Sequence, residues 1–66
     1  MEIVLNGENR SVSEGLTLAD LVRELNMQPR FVAIECNTEL VPRRNHAEHV
    51  LQPGDRVEIV TLVGGG

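Results

Sequence analysis

Residues 16–25 read LTLADLVREL, and this stretch decides the architecture because it carries the clearest helical period in the chain. Leu18, Leu21, Val22 and Leu25 fall at i, i+3, i+4 and i+7, which lines their side chains up as one stripe. Thr17 is suited to the N-cap, Asp20 three residues on closes a capping box, and Leu16 can pack on Leu21 as a hydrophobic staple. Asn26 tolerates the left-handed conformation that ends a helix, and Pro29 blocks its resumption. The spacing predicts one helix over 17–25 whose single apolar face needs a cover.

On either side the period changes from 3.6 to two. Residues 1–6, MEIVLN, alternate Met1, Ile3 and Leu5 against Glu2, Val4 and Asn6, and Asn6-Gly7 is the strongest short-range signal for a hairpin turn. A return strand is expected at residues 10–13, RSVS. After the helix, FVAIECN at 31–37 alternates Val32, Ile34 and Cys36 against Ala33, Glu35 and Asn37, with a turn expected at Thr38-Glu39. Pro42 has no N–H to give a ladder, so LVP at 40–42 belongs at a strand edge or end. RRNHAEHV at 43–50 is polar and is expected to hold at most one loose helical turn. Pro53-Gly54 fits the centre of a type II turn, and the last strand sets Val57, Ile59, Thr61 and Val63 on one face with Val60 and Leu62 on the other.

The resulting order is strand, strand, helix, strand, short strand, strand. One short helix can cover one face of a small mixed sheet, which makes the fold α+β with about five strands, the β-grasp or ubiquitin-like arrangement. The known topology of that fold pairs the first and last strands in parallel at the sheet centre. The domain is expected over 1–63, followed by a flexible glycine tail at 64–66.

Sixty-six residues make one domain with a single core and no deep cleft. Phe31 is the only aromatic residue, so Leu, Val and Ile must build that core and a large apolar ligand pocket is not expected. The net charge of -4, ten acids against six arginines and no lysine, disfavours nucleic acid and suits a protein with a basic surface. Chance composition accounts for the missing lysines, although a protein with an activated carboxyl end gains from having no amine to acylate. A single cysteine cannot form an internal disulfide, and no signal-like or membrane-length apolar run is present, so a cytoplasmic, membrane-free, monomeric protein is expected.

His46 and His49, at i and i+3, could share one side of a helical turn as a metal site requires, but further ligands are missing nearby and Cys36 is distant in sequence. They are read as solvated surface histidines, and no bound metal is expected. Cys36 continues the Val32, Ile34 alternation and is read as a small buried hydrophobe before a nucleophile. Arg43 and Arg44 are read as a solvated loop pair, with bidentate recognition of phosphate or carboxylate as the alternative. The acids Glu35, Glu39, Glu48, Asp55 and Glu58 have no paired spacing for general acid–base work, so the chain itself is not expected to be an enzyme.

The final residues, VGGG, are different in kind. Glycine has no Cβ, so such a stem can enter a channel too narrow for side chains, and three extended residues reach on the order of 10 Å. A carboxylate at Gly66 is ionised at neutral pH and is a poor electrophile until an oxygen becomes a leaving group. Transfer of AMP from ATP is the common route, which implies an activating enzyme acting in trans.

Taken together, the Asn6-Gly7 hairpin, TLADLVREL, VAIECNTELVPR at 32–43, LQPGDRVEIV at 51–60 and the terminal VGGG make the chain resemble the ThiS family of sulfur carriers along its whole length. The resemblance implies that an E1-like enzyme of the ThiF type adenylates the Gly66 carboxylate with ATP and magnesium. It further implies that sulfur, from a donor such as a cysteine desulfurase, replaces AMP to give a thiocarboxylate. Thiazole synthase of the ThiG type would then take that sulfur for the thiazole of thiamine. Gly65 and Gly64 would be the stem, and Val60 and Leu62 are candidates for partner docking. Many family members end in two glycines where this chain has three, which leaves Gly64 the least defined of the set. A molybdopterin synthase small subunit often carries prolines before its tail, and VTLVGGG has none. Carriers for cysteine synthesis or tRNA thiolation, and a ubiquitin-like modifier, share the same tail chemistry.

Overall fold

The computed structural model describes residues 1–62, so Val63 and the glycines 64–66 lie outside the described residues. Five strands form one sheet in the order β2-β1-β5-β3-β4. Its strands are β1 (Glu2–Leu5), β2 (Glu8–Ser11), β3 (Val32–Cys36), β4 (Glu39–Val41) and β5 (Arg56–Thr61), and among the described residues the one α-helix is α1 (Leu18–Glu24). The expected α+β architecture is therefore present, and β5 runs parallel to β1 and antiparallel to β3 at the centre.

Two asparagine turns set the hairpins. Asn6 and Gly7 adopt φ of 49° and 83°, the left-handed pair that a two-residue turn needs if its twist is to match the strands. The return strand starts at once, at Glu8, two residues earlier than the RSVS reading, because the tight turn leaves no spacer before pairing with Leu5. The β3–β4 turn is likewise one residue earlier than expected. It falls on Asn37 and Thr38, with φ of 53° and 72°, and Cys36 pairs directly with Glu39. Asn37 rather than Glu39 occupies the turn because asparagine tolerates the left-handed region, and its side chain closes the end of the sheet. Its Nδ2 donates to Asp55 Oδ1 at 3.0 Å, and its Oδ1 accepts from the Arg56 N–H at 2.9 Å.

Helix α1 starts as its sequence requires. Thr17 Oγ1 accepts from the Asp20 N–H at 3.1 Å, and the Asp20 carboxylate accepts from the Thr17 N–H at 3.1 Å. The Thr17 N–H and then the Thr17 hydroxyl, with Arg23 nearby, hold the Asp20 carboxyl below its usual pKa. The two remaining first-turn N–H groups are met from outside the helix: Leu18 donates to the His49 carbonyl and Ala19 to the His46 carbonyl, each at 3.0 Å. At the other end Asn26 takes φ of 58° and stops the helix. Leu18, Leu21 and Val22 are buried and join Ile3, Ile34, Val57 and Ile59 in the core between helix and sheet. Phe31 is only half-buried, so the core is aliphatic as the composition requires.

The segment 43–50 corrects the sequence reading. A short 3-10 turn (Arg43–Asn45) leads into His46, which is 4% exposed rather than solvated. Its Nε2–H donates to the Val41 carbonyl at 2.9 Å, while its own carbonyl receives Ala19. The ring thus ties the end of β4 to the start of α1. Arg43 and Arg44 stand exposed, in line with the solvated pair expected there.

Candidate functional site

Two features lie along β5: a sheet face that no other described residue covers, and the strand end that precedes the glycine stretch in sequence. Side chains on the far side of the sheet from α1 alternate with the core positions, so Ala33 and Glu35 on β3, Leu40 on β4, and Glu58 and Val60 on β5 share the outer face. They line an open groove of about 430 Å³. Leu40 is 69% exposed, Val60 56% and Leu62 47%, a concentration of large apolar side chains in water that the core does not require. Val60 and Leu62 accordingly stand where the sequence reading put them, off the core face.

Two carboxylates interrupt this apolar surface. Glu35 and Glu58 are directly opposite each other on adjacent antiparallel strands. Like charges in that position are destabilising, and neither carboxylate is in an ion pair among the described residues. The groove therefore offers apolar contact together with uncompensated negative charge, which suits a partner surface of aliphatic and basic side chains. Leu40 was not singled out in the sequence, and Glu35 and Glu58 were read there only as acids without paired spacing. The signal for Leu40 was available, because neighbouring residues on a strand point to opposite faces and Leu40-Val41 cannot both enter the core.

The end of β5 is anchored beyond the last β1 residue. Asn6 Oδ1 accepts from the Ile59 N–H at 2.8 Å, and Asn6 Nδ2 donates to the Ile59 carbonyl at 3.2 Å. One side-chain amide thus supplies both bonds that a further β1 residue would have made. On the other side, the Leu62 N–H donates to the Phe31 carbonyl at 2.6 Å. The backbone is held up to Leu62, the last described residue, two positions ahead of Gly64 in the sequence. Gly64, Gly65 and Gly66 themselves lie outside the described residues.

Cys36 is placed in the core, as its alternation indicated, at the opposite end of β5 from Leu62. Burial, with the Asp55 carboxylate beside it, pushes its thiol up to about 11, so it is protonated and a poor nucleophile at neutral pH. Among the described residues, no helix is long and apolar enough to cross a membrane.

The model of the ThiS family matches residues 3–66, a span that runs through the glycine stretch. The chain is 42% identical over 66 residues to a thiazole synthase of Paramagnetospirillum magneticum, and it spans only 20% of that protein's length. Over 66 residues it is 29% identical to the sulfur carrier protein ThiS of Escherichia coli, covering 100% of both chains. In structure it is similar to the crystal structure of thiamine biosynthesis protein ThiS from Geobacter metallireducens, with a TM-score of 0.85, 30% identity and 100% of both chains covered.

Proposed function

The chain belongs to the ThiS family, the sulfur carriers of thiamine biosynthesis, and from that membership we propose that Gly66 is the carrying residue. An oxygen of the Gly66 carboxylate attacks the α-phosphorus of ATP, pyrophosphate leaves, and an acyl-adenylate forms. The outer sulfur of a persulfide, supplied by a donor such as a cysteine desulfurase, then adds to the acyl carbon, and AMP departs with the electrons of the broken C–O bond. A thiol reductant cleaves the S–S bond of the resulting acyl disulfide, leaving the thiocarboxylate and an oxidised thiol. An E1-like, ThiF-type enzyme provides the ATP and magnesium site, and a ThiG-type thiazole synthase receives the sulfur. The chain is thus a protein co-substrate, and the catalysis belongs to its partners.

The observation that carries this reading is the family match through residue 66, on a fold whose central strand β5 ends at Thr61, two positions ahead of Val63 of the VGGG sequence. Adenylation answers a chemical need, because a carboxylate resists nucleophiles until it bears a good leaving group. The exposed Leu40, Val60 and Leu62, with Glu35 and Glu58 between them, form the surface on which both partners dock. A partner seated there lies beside the strand that delivers the tail.

Intact mass spectrometry of the 66-residue chain, after incubation with ATP, magnesium, an activating enzyme and a sulfur donor, tests the reading. The expected product has one oxygen replaced by sulfur, mapped to Gly66. An unchanged mass with an enzyme proven active on another carrier overturns it. An amide to a lysine of another protein, in place of the thiocarboxylate, would make the chain a modifier. Deleting Gly66 should abolish the product while leaving thermal stability nearly unchanged, since a terminal residue contributes little to the core.

A further inference from the structure

The fold gathers three metal-ligating side chains that the sequence keeps apart. Cys36 Sγ, a ring nitrogen of His49 and a carboxylate oxygen of Asp55 all lie within 4.8 Å of one another. Each residue is fixed by a different element. Cys36 ends β3 and is paired on both sides, with Glu39 and with Val57. Asp55 follows the Pro53-Gly54 turn, where its Oδ2 accepts from the Gln52 N–H at 2.8 Å and its Oδ1 from Asn37 Nδ2 at 3.0 Å. The backbone of His49 is held through its carbonyl by the first residue of α1.

We propose that Cys36, His49 and Asp55 form a three-ligand site for a zinc-class divalent cation, with a fourth position left to water. The donor set of one thiolate, one imidazole and one carboxylate is what such a cation accepts, at about 2.3, 2.1 and 2.1 Å respectively. Tetrahedral coordination at those lengths sets donor atoms roughly 3.4–3.6 Å apart. The donor separations of up to 4.8 Å therefore have to shorten by at most about 1.2–1.4 Å, and half-buried His49, on a loop, can make that movement by rotating its side chain.

Charge supports the assignment. On binding, the Cys36 S–H bond breaks and its proton goes to solvent, so a thiolate and a carboxylate together offset the two positive charges. The neutral result suits a position where the cysteine is 5% exposed. The hydrogen bonds from Asn37 and Gln52 supply the outer contacts that orient a ligating carboxylate and still leave it lone pairs for the metal. Occupancy would tie β3, the turn before β5 and the loop capping α1 into one cross-link. Because the cluster is at the end of β5 away from Leu62, its test needs no assay of the tail.

Cobalt(II) added to the metal-free full chain should produce a thiolate-to-cobalt charge-transfer band in the near ultraviolet and the d–d bands of tetrahedral cobalt. Zinc should displace it with a stoichiometry of one per chain. At free zinc one hundred times the dissociation constant, the folded state should gain about 100-fold over the unfolded, read as a higher melting temperature. Cys36→Val, which keeps an apolar side chain in the core, and His49→Gln should each remove the band and the zinc-dependent shift, with far-ultraviolet circular dichroism confirming that both variants fold. A cobalt spectrum without the thiolate band, or zinc binding that survives in either folded variant, overturns the proposal and assigns the binding to surface carboxylates.

Discussion

Replacing Asn6 should cost this small domain a large part of its stability, and the size of the loss can be worked from two hydrogen bonds and one backbone angle. The side-chain amide makes two hydrogen bonds to the Ile59 backbone, at 2.8 and 3.2 Å, and the residue itself sits at φ of 49°. Two hydrogen bonds at a net 0.5–1.5 kcal/mol each come to about 1–3 kcal/mol, with the Ile59 N–H left unpaired by protein. Alanine at a left-handed φ adds roughly 1 kcal/mol. Asn6→Ala should therefore lose about 2–4 kcal/mol, against a total on the order of 3–5 kcal/mol for a core of this size. Asn6→Gly removes the hydrogen bonds but not the conformational fit, so it should recover about 1 kcal/mol of that loss. Asn6→Asp keeps the acceptor for the Ile59 N–H but turns a carboxylate oxygen toward the Ile59 carbonyl, and should fall near the glycine variant. Urea unfolding followed by circular dichroism at constant m-value measures all three. If Asn6→Gly is as stable as the parent, the amide contributes nothing and the reasoning fails. If the alanine and glycine variants coincide, the backbone component is wrong.

Glu58→Lys should act with opposite signs on folding and on docking. Relieving the contact with Glu35 should raise stability by about 0.2–1 kcal/mol in a thermal melt, while affinity for the activating enzyme, measured by calorimetry, should fall at least about tenfold. Equal affinity would remove the groove from the docking surface. His46→Ala should destabilise by about 2–4 kcal/mol in the same urea assay, because it opens a cavity and strips a buried carbonyl of its donor. A loss typical of an exposed histidine would contradict the burial. The pH profile should report the capping box. Asp20 has its carboxyl held below the usual 3.8, so its contribution is complete above that pH and is lost as the pH falls through its folded value. Asp20→Asn should therefore be less stable at neutral pH and show a shallower acid limb. An unchanged acid limb would mean that Asp20 does not titrate as its hydrogen bonds require.

Much of the fold could be read from period and turn chemistry alone. The stripe Leu18, Leu21, Val22 and the alternation Val32, Ile34, Cys36 each follow from side-chain geometry within one element, and both are where they were expected. The turn at Asn37-Thr38 was misplaced by one residue because Thr38-Glu39 is also a polar pair, and the pairing of Cys36 with Glu39 across β3 and β4 that fixes it is not visible within either strand's own alternation. His46 was misread for a related reason. Its partners are backbone groups of Val41 and Ala19, and backbone carries no signal in a sequence. Exposed Val60 and Leu62 could be found by alternation, but the opposition of Glu35 and Glu58 could not, since it depends on which residues face each other across strands. The grouping of Cys36, His49 and Asp55 was hidden for the same cause: their proximity is created by tertiary closure across separations of 13 and 6 residues.

The parallel pairing of β1 with β5 decides where a second protein can be attached. Leu5 is level with Val57, so Glu2 and Thr61 are about seven residues apart along the sheet, roughly 23 Å at the strand rise. A tag, a fluorophore or a whole domain joined ahead of Met1 thus emerges at the end of the sheet away from Thr61 and from the proposed docking groove. Such a fusion leaves the working pole open to large partners, and a surface tethered through Met1 would present every molecule in the same orientation.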